Sequence, residues 1–136
     1  MEPPLPPDRL SELTEDVLAF IESQIDSVPH MEALLLLWES APEGWTAEQV
    51  AARIYVRLDA AKQIVADLVR RRLVAIVSDD EGQRFAYDPT WDERNLMARV
   101  AASYRGNLIR VSHAIHAKAS GAVREFARAF ERKKDG

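Results

Sequence analysis

Apolar positions recur at helical spacing along most of this chain and switch to strand-like alternation once. Val17, Leu18, Ile21 and Ile25 fall on one helical face. Thr14, Glu15 and Asp16 ahead of them supply a capping hydroxyl and carboxylates for the positive end of the helix dipole. The spacing predicts a helix over 14–26. Pro29, tolerated in a first turn, opens a second over 29–40. Its Ala33-Leu34-Leu35-Leu36-Leu37-Trp38 run is apolar nearly all round, so this helix belongs in the middle of the core. Ala41-Pro42-Glu43-Gly44 is turn chemistry. Thr46-Ala47-Glu48-Gln49 matches a capping box and starts a short helix over 47–54, with Val50, Ala51 and Ile54 inward. Tyr55-Val56-Arg57 lowers helix propensity and predicts a turn. A helix over 58–72 follows, with Leu58, Ala61, Ile64, Val65 and Leu68 as its buried stripe and Arg70-Arg71-Arg72 at the negative end of its dipole.

The period then changes. Leu73-Val74-Ala75-Ile76-Val77 is β-rich, Asp79-Asp80-Glu81-Gly82 is a turn, and Arg84-Phe85-Ala86-Tyr87 alternates polar with apolar. Together they predict one β-hairpin, closed by Asp88-Pro89-Thr90. Helical spacing resumes at Trp91 and runs to about Ala119, with Gly106 as a candidate bend. Ser120-Gly121 breaks the run, and a last helix is predicted over 121–133, with Val123, Phe126, Ala127 and Phe130 inward. Four prolines among the first seven residues make 1–10 an extended, mobile arm. The fold class is therefore mainly α with one β-hairpin. Its expected divisions are a Pro-rich arm (1–10), a folded domain (11–89) and a C-terminal helical region (90–136).

Composition narrows the chemistry. The chain has 136 residues, which is room for one domain, and no cysteine, so disulfide scaffolds, thiolate zinc sites and a thiol nucleophile are excluded. No apolar run approaches the roughly 20 residues of a membrane span, and MEPPLPPDRL lacks the pattern of a secretory signal, so a cytoplasmic protein is expected. There is no Gly-rich phosphate loop, serine elbow or metalloprotease histidine motif, so no catalytic residues and no enzyme are expected. Neither a cofactor nor a metal is expected. His113 and His116 share a helix side without a completing carboxylate, and His30 reads as a surface residue of a helix start.

Net charge is −4, which at first argues against a nucleic-acid partner. The average hides a division. Residues 1–89 hold 8 Lys+Arg against 17 Asp+Glu, a net of −9, and residues 90–136 hold 10 against 5, a net of +5. A polyanion is thus not excluded, and Arg99, Arg105, Arg110 and the Arg132-Lys133-Lys134 tail become possible phosphate contacts.

The order helix, helix, short helix, turn, helix, hairpin, long helix resembles a winged helix-turn-helix domain. The residues that carry the likeness are Gly44-Trp45-Thr46-Ala47-Glu48-Gln49-Val50-Ala51 as the capped first helix of the motif and Leu58-Asp59-Ala60-Ala61-Lys62 through Leu68 as its recognition helix. Arg70-Arg71-Arg72-Leu73-Val74 resembles the lead-in to the wing. The long helix after it resembles the dimerisation helix of small bacterial transcriptional regulators of the multiple-antibiotic-resistance or phenolic-acid-regulator type. The resemblance implies a DNA-binding regulator with double-stranded DNA as partner and helix 58–72 in the major groove.

Groove-facing positions would then be Arg57, Asp59, Lys62, Gln63 and Asp67, with Arg70, Arg71, Arg72 and Arg84 as further DNA-binding candidates. The plainer reading makes the same residues a solvated helix face and a neutralised helix end. The wing tip, Asp79-Asp80-Glu81, is acidic where phosphate would demand a cation. It motivates the rival reading of a protein-interaction module with a protein partner. A long helix must also cover its stripe, so Met97, Val100, Tyr104, Leu108, Val111 and Ile115 are expected at a homodimer interface, unless the outer helices fold back over them. Trp38, Trp45 and Trp91 read as core anchors, with Trp91 and Tyr104 as walls of a possible small-molecule pocket.

Overall fold

The computed structural model describes residues 13–117. The elements are α1 (Glu15–Gln24), α2 (Val28–Glu39), α3 (Ala47–Ile54), α4 (Leu58–Arg70), β1 (Val74–Asp79), β2 (Gly82–Tyr87), a 3-10 turn (Pro89–Trp91) and α5 (Leu96–Gly106). A further helix, α6, occupies 108–117. The arm 1–10 and the helix expected over 121–133 lie outside the described residues.

α2 is the centre of the core. Met31, Ala33, Leu34 and Leu37 have no solvent exposure, and the helix packs against α3, α4 and β2. An element that is apolar on every side can be satisfied only where neighbours surround it. Ser27 caps it by accepting from the His30 backbone N–H, and Pro29 sits in the first turn. α3 begins with the expected capping box: the Thr46 hydroxyl accepts from the Gln49 N–H at 3.2 Å, and the Gln49 side chain accepts from the Thr46 N–H at 3.0 Å. α4 buries Ala61, Ile64, Val65 and Leu68 as the stripe predicts, but Leu58 is 40% exposed because it lies in the first turn, at the edge of the packed region. α4 also stops at Arg70 rather than 72, since Arg72 adopts a positive φ of 63° and the chain folds back there.

β1 and β2 pair antiparallel from Val74–Tyr87 to Asp79–Gly82. Trp45 adds an isolated antiparallel bridge on the outer side of β2, at Phe85. Its N–H donates to the Phe85 carbonyl, and the Phe85 N–H donates to the Trp45 carbonyl, both at 2.8 Å. Gly44 lies close beside it: a Cβ there would meet the Arg84 Cβ at 3.1 Å, so the neighbouring strand would have to give by a few tenths of an ångström. Helix-turn-helix α3–α4 and the hairpin thus form the winged helix-turn-helix arrangement.

The single helix expected from Trp91 onward is interrupted twice. Asp92 accepts from the Tyr87 hydroxyl at 2.9 Å and from the N–H groups of Leu96 and Met97, so it caps α5 instead of continuing a helix from Trp91. Asn107, with φ −136° and ψ 45°, then ends α5 one residue after Gly106; glycine and asparagine are both poor helix interiors. The stripe expected at a dimer interface is covered by the chain itself. Met97, Val100, Tyr104, Val111 and Ile115 are all at most 4% exposed and belong to one cluster with Val17, Ile21 and α2. The outer helix did fold back: α1 packs on α5. Of the six positions, Leu108 alone is exposed, together with its neighbour Ile109.

Candidate functional site

The turn between α3 and α4 is held by backbone. The Tyr55 and Val56 N–H groups both donate to the Ala51 carbonyl, and Tyr55 takes a left-handed conformation, φ 59° and ψ 49°. Tyr55 is 93% exposed. Arg57 is the N-cap residue of α4, offers no side-chain cap, and lies with its Nε 3.4 Å from Asp59 in an exposed pair.

Along α4 the expected groove-facing residues separate into two sets. Lys62 projects outward and lines a cavity of about 650 Å³ between α3, α4 and the wing, together with Ala47, Val69, Ile76 and Phe85. Asp67, expected to face the groove, instead turns inward and is buried. One of its oxygens meets His30 Nε2 at 2.8 Å; the other accepts from the Gln63 amide at 2.9 Å and from Arg70 at 2.6 Å. Burial pushes the Asp67 carboxyl up, but the hydrogen bonds from His30, Gln63 and Arg70 outweigh it and hold it below the usual carboxylate range. His30 is likewise buried, not at the surface: its Nδ1 is 2.6 Å from the Ser27 hydroxyl. A carboxylate inside the fold needs partners, and His30 is the one that α2 provides.

Arg71 is also a fold residue. It grips Asp26 at 2.8 Å and donates to the Ser23 carbonyl at 2.7 Å, tying the end of α4 to the end of α1. Arg72 is exposed at the turn after α4. Arg84 lies between Asp79 at 3.0 Å and Glu81 at 3.1 Å, so two carboxylates of the wing tip are folded back onto it. Among the described cationic candidates on this face, Lys62 and Arg72 make no ion pair.

The sequence offered a partial signal for these pairs. Gln63–Asp67 and Asp67–Arg70 are four and three apart on a helix, where side chains meet. The partnership with His30, 37 residues away, has no local signature.

Asp26, His30 and Asp67 also bring three possible metal-ligand atoms within 4.8 Å of one another. Their carboxylates are already taken by Arg71, Arg70 and Gln63, so the cluster is an ion-pair network that joins α1, α2 and α4. His113 and His116 are exposed on α6. Trp91 and Tyr104 do not share a pocket. Trp91 stacks on Phe20 at 5.1 Å and borders a cavity of about 240 Å³; Tyr104 borders another of about 290 Å³ and donates to Glu32 at 2.6 Å. Burial, then Glu32, push the Tyr104 hydroxyl above its usual range. No described helix is long and apolar enough to cross a membrane.

No protein-family model matches the chain, and no curated protein matches it in sequence. Solved structures do match its fold. A MarR family protein from Bacillus stearothermophilus is 18% identical with a TM-score of 0.50, over 95% of this chain and 87% of that one. A probable transcriptional regulator from Pseudomonas aeruginosa is 16% identical with a TM-score of 0.52, over 93% and 88%. The YusO protein from Bacillus subtilis is 15% identical with a TM-score of 0.52, over 83% and 82%. The fold is therefore the winged helix-turn-helix fold that these proteins share.

Proposed function

We propose that this protein is a double-stranded-DNA-binding transcriptional regulator acting as a homodimer, with α4 as the recognition helix. The observation that carries the reading is the α3–turn–α4–hairpin arrangement, which leaves one face of α4 uncovered beside the wing. Two of the matching structures are described as a MarR family protein and a probable transcriptional regulator. In such a motif the N-terminal part of the second helix enters the major groove and the flanks hold phosphate.

Lys62 and Arg72 are offered to DNA without breaking an ion pair. Arg57, Arg70 and Arg84 must exchange Asp59, Asp67 and the wing acids for phosphate. Gln63 and Arg71 would likewise exchange Asp67 and Asp26 for DNA. Residues 90–136 are proposed as the dimerising region. Within the described part the contact is the exposed Leu108–Ile109 pair, while Met97, Val100, Tyr104, Val111 and Ile115 hold its inner side.

The test is binding to a labelled duplex of random sequence as salt is raised. Phosphate contacts release counterions, so affinity should fall steeply, and Lys62→Ala should lower the log–log slope by about one. No binding at about 50 mM salt overturns the reading. It would turn attention to the acidic wing as a protein contact.

A further inference from the structure

We propose that Tyr55 is a DNA-backbone contact, its phenol hydroxyl donating to a phosphate oxygen beside the groove that α4 enters. The proposal rests on the DNA-binding reading above and adds a residue that composition and charge do not single out.

Three observations converge on this side chain. Its backbone occupies the left-handed region, φ 59° and ψ 49°, where glycine or asparagine is the undemanding choice. The residue is 93% exposed, and its ring stacks on no other ring among the described residues. Its hydroxyl makes no hydrogen bond among the described residues, whereas Tyr87 and Tyr104 each donate to a carboxylate. Among the described residues, the Tyr55 backbone makes the turn and its side chain makes no hydrogen bond or ring contact.

Position and chemistry select the partner. The turn delivers the ring next to the N-terminus of α4, the end that approaches bases in this fold class. Arg57, two residues on, is equally outward, with its side chain 89% exposed. A phenol beside a guanidinium is a pair suited to phosphate, and tyrosine is among the side chains that hydrogen-bond DNA backbone. A protein-docking surface would need a continuous apolar patch; here only Leu58, 40% exposed, stands close in sequence.

The experiment uses the full chain and a labelled random duplex of about 30 base pairs, titrated at several salt concentrations. Y55F should bind about tenfold more weakly with an unchanged salt slope, because a neutral donor is lost. Y55G and Y55N, which suit the left-handed backbone, should show the same loss while melting at or above the wild-type temperature. Wild-type binding with unaltered affinity in Y55F and Y55G overturns the Tyr55 assignment and leaves the DNA reading standing. A slope lowered by about one in Y55F also overturns it, since the residue would then act through charge. If Y55G keeps duplex affinity and loses self-association in light scattering, the ring is a protein contact and the proposal is wrong. A wild type that binds no duplex at about 50 mM salt removes both readings together.

Discussion

Asp67 fastens α4 to α2 through a single carboxylate, and that makes it the most informative residue to change. Asparagine keeps the shape but cannot accept from His30, Gln63 and Arg70 at once. Asp67→Asn should therefore cost about 2 kcal/mol at neutral pH in urea unfolding, the scale of a broken buried pair softened by partial exposure of Arg70. The pH dependence has a definite sign. A carboxyl held below its ordinary value stabilises the fold fully above about pH 4, its unfolded range, and loses that contribution as pH falls through the lower folded value. Wild type and Asp67→Asn should thus differ most near neutrality and converge in strong acid. Tyr55 is the opposite kind of residue. Its left-handed backbone costs roughly 1–2 kcal/mol, and among the described residues its side chain makes no hydrogen bond or ring contact.

At the scale of elements, what was legible in the sequence depended on how local the cause was. α3 has the bounds that its capping box predicted, because Thr46 and Gln49 are three residues apart and need nothing else. Thr46→Ala should lower global stability by about 1 kcal/mol, read by circular dichroism on heating. The hairpin was equally readable, its strands differing in periodicity from everything before them. The long helix was not. Its spacing is right through Val111 and Ile115, but Asp92 gains more as a cap tied to Tyr87 than as a helix interior, and Asn107 ends α5. The candidate cations were legible as residue types only. That Arg71 reaches Asp26 across 45 residues, and that Arg84 folds onto the wing acids, are consequences of tertiary approach.

The described residues are organised around one core that joins α1 to α6 and the hairpin. Leu34, fully buried at its centre, should cost about 3 kcal/mol or more on replacement by alanine, and a single cooperative transition should report it. The exposed pair on α6 should behave differently. If the proposed homodimer forms, Ile109→Glu should leave the melting temperature within a degree or two of wild type, yet shift light scattering from twice 15.3 kDa towards that value. Unchanged mass would remove Ile109 from the interface.

The rung between Trp45 and Phe85 gives this assembly a mechanical character. The hairpin is a lever whose fulcrum is two backbone hydrogen bonds placed next to the Thr46 cap of α3. From Asp80 a continuous path runs along the hairpin to the first turn of α3, and through the tight Tyr55 turn to α4. Wing and α4 are therefore joined through α3 by backbone hydrogen bonds.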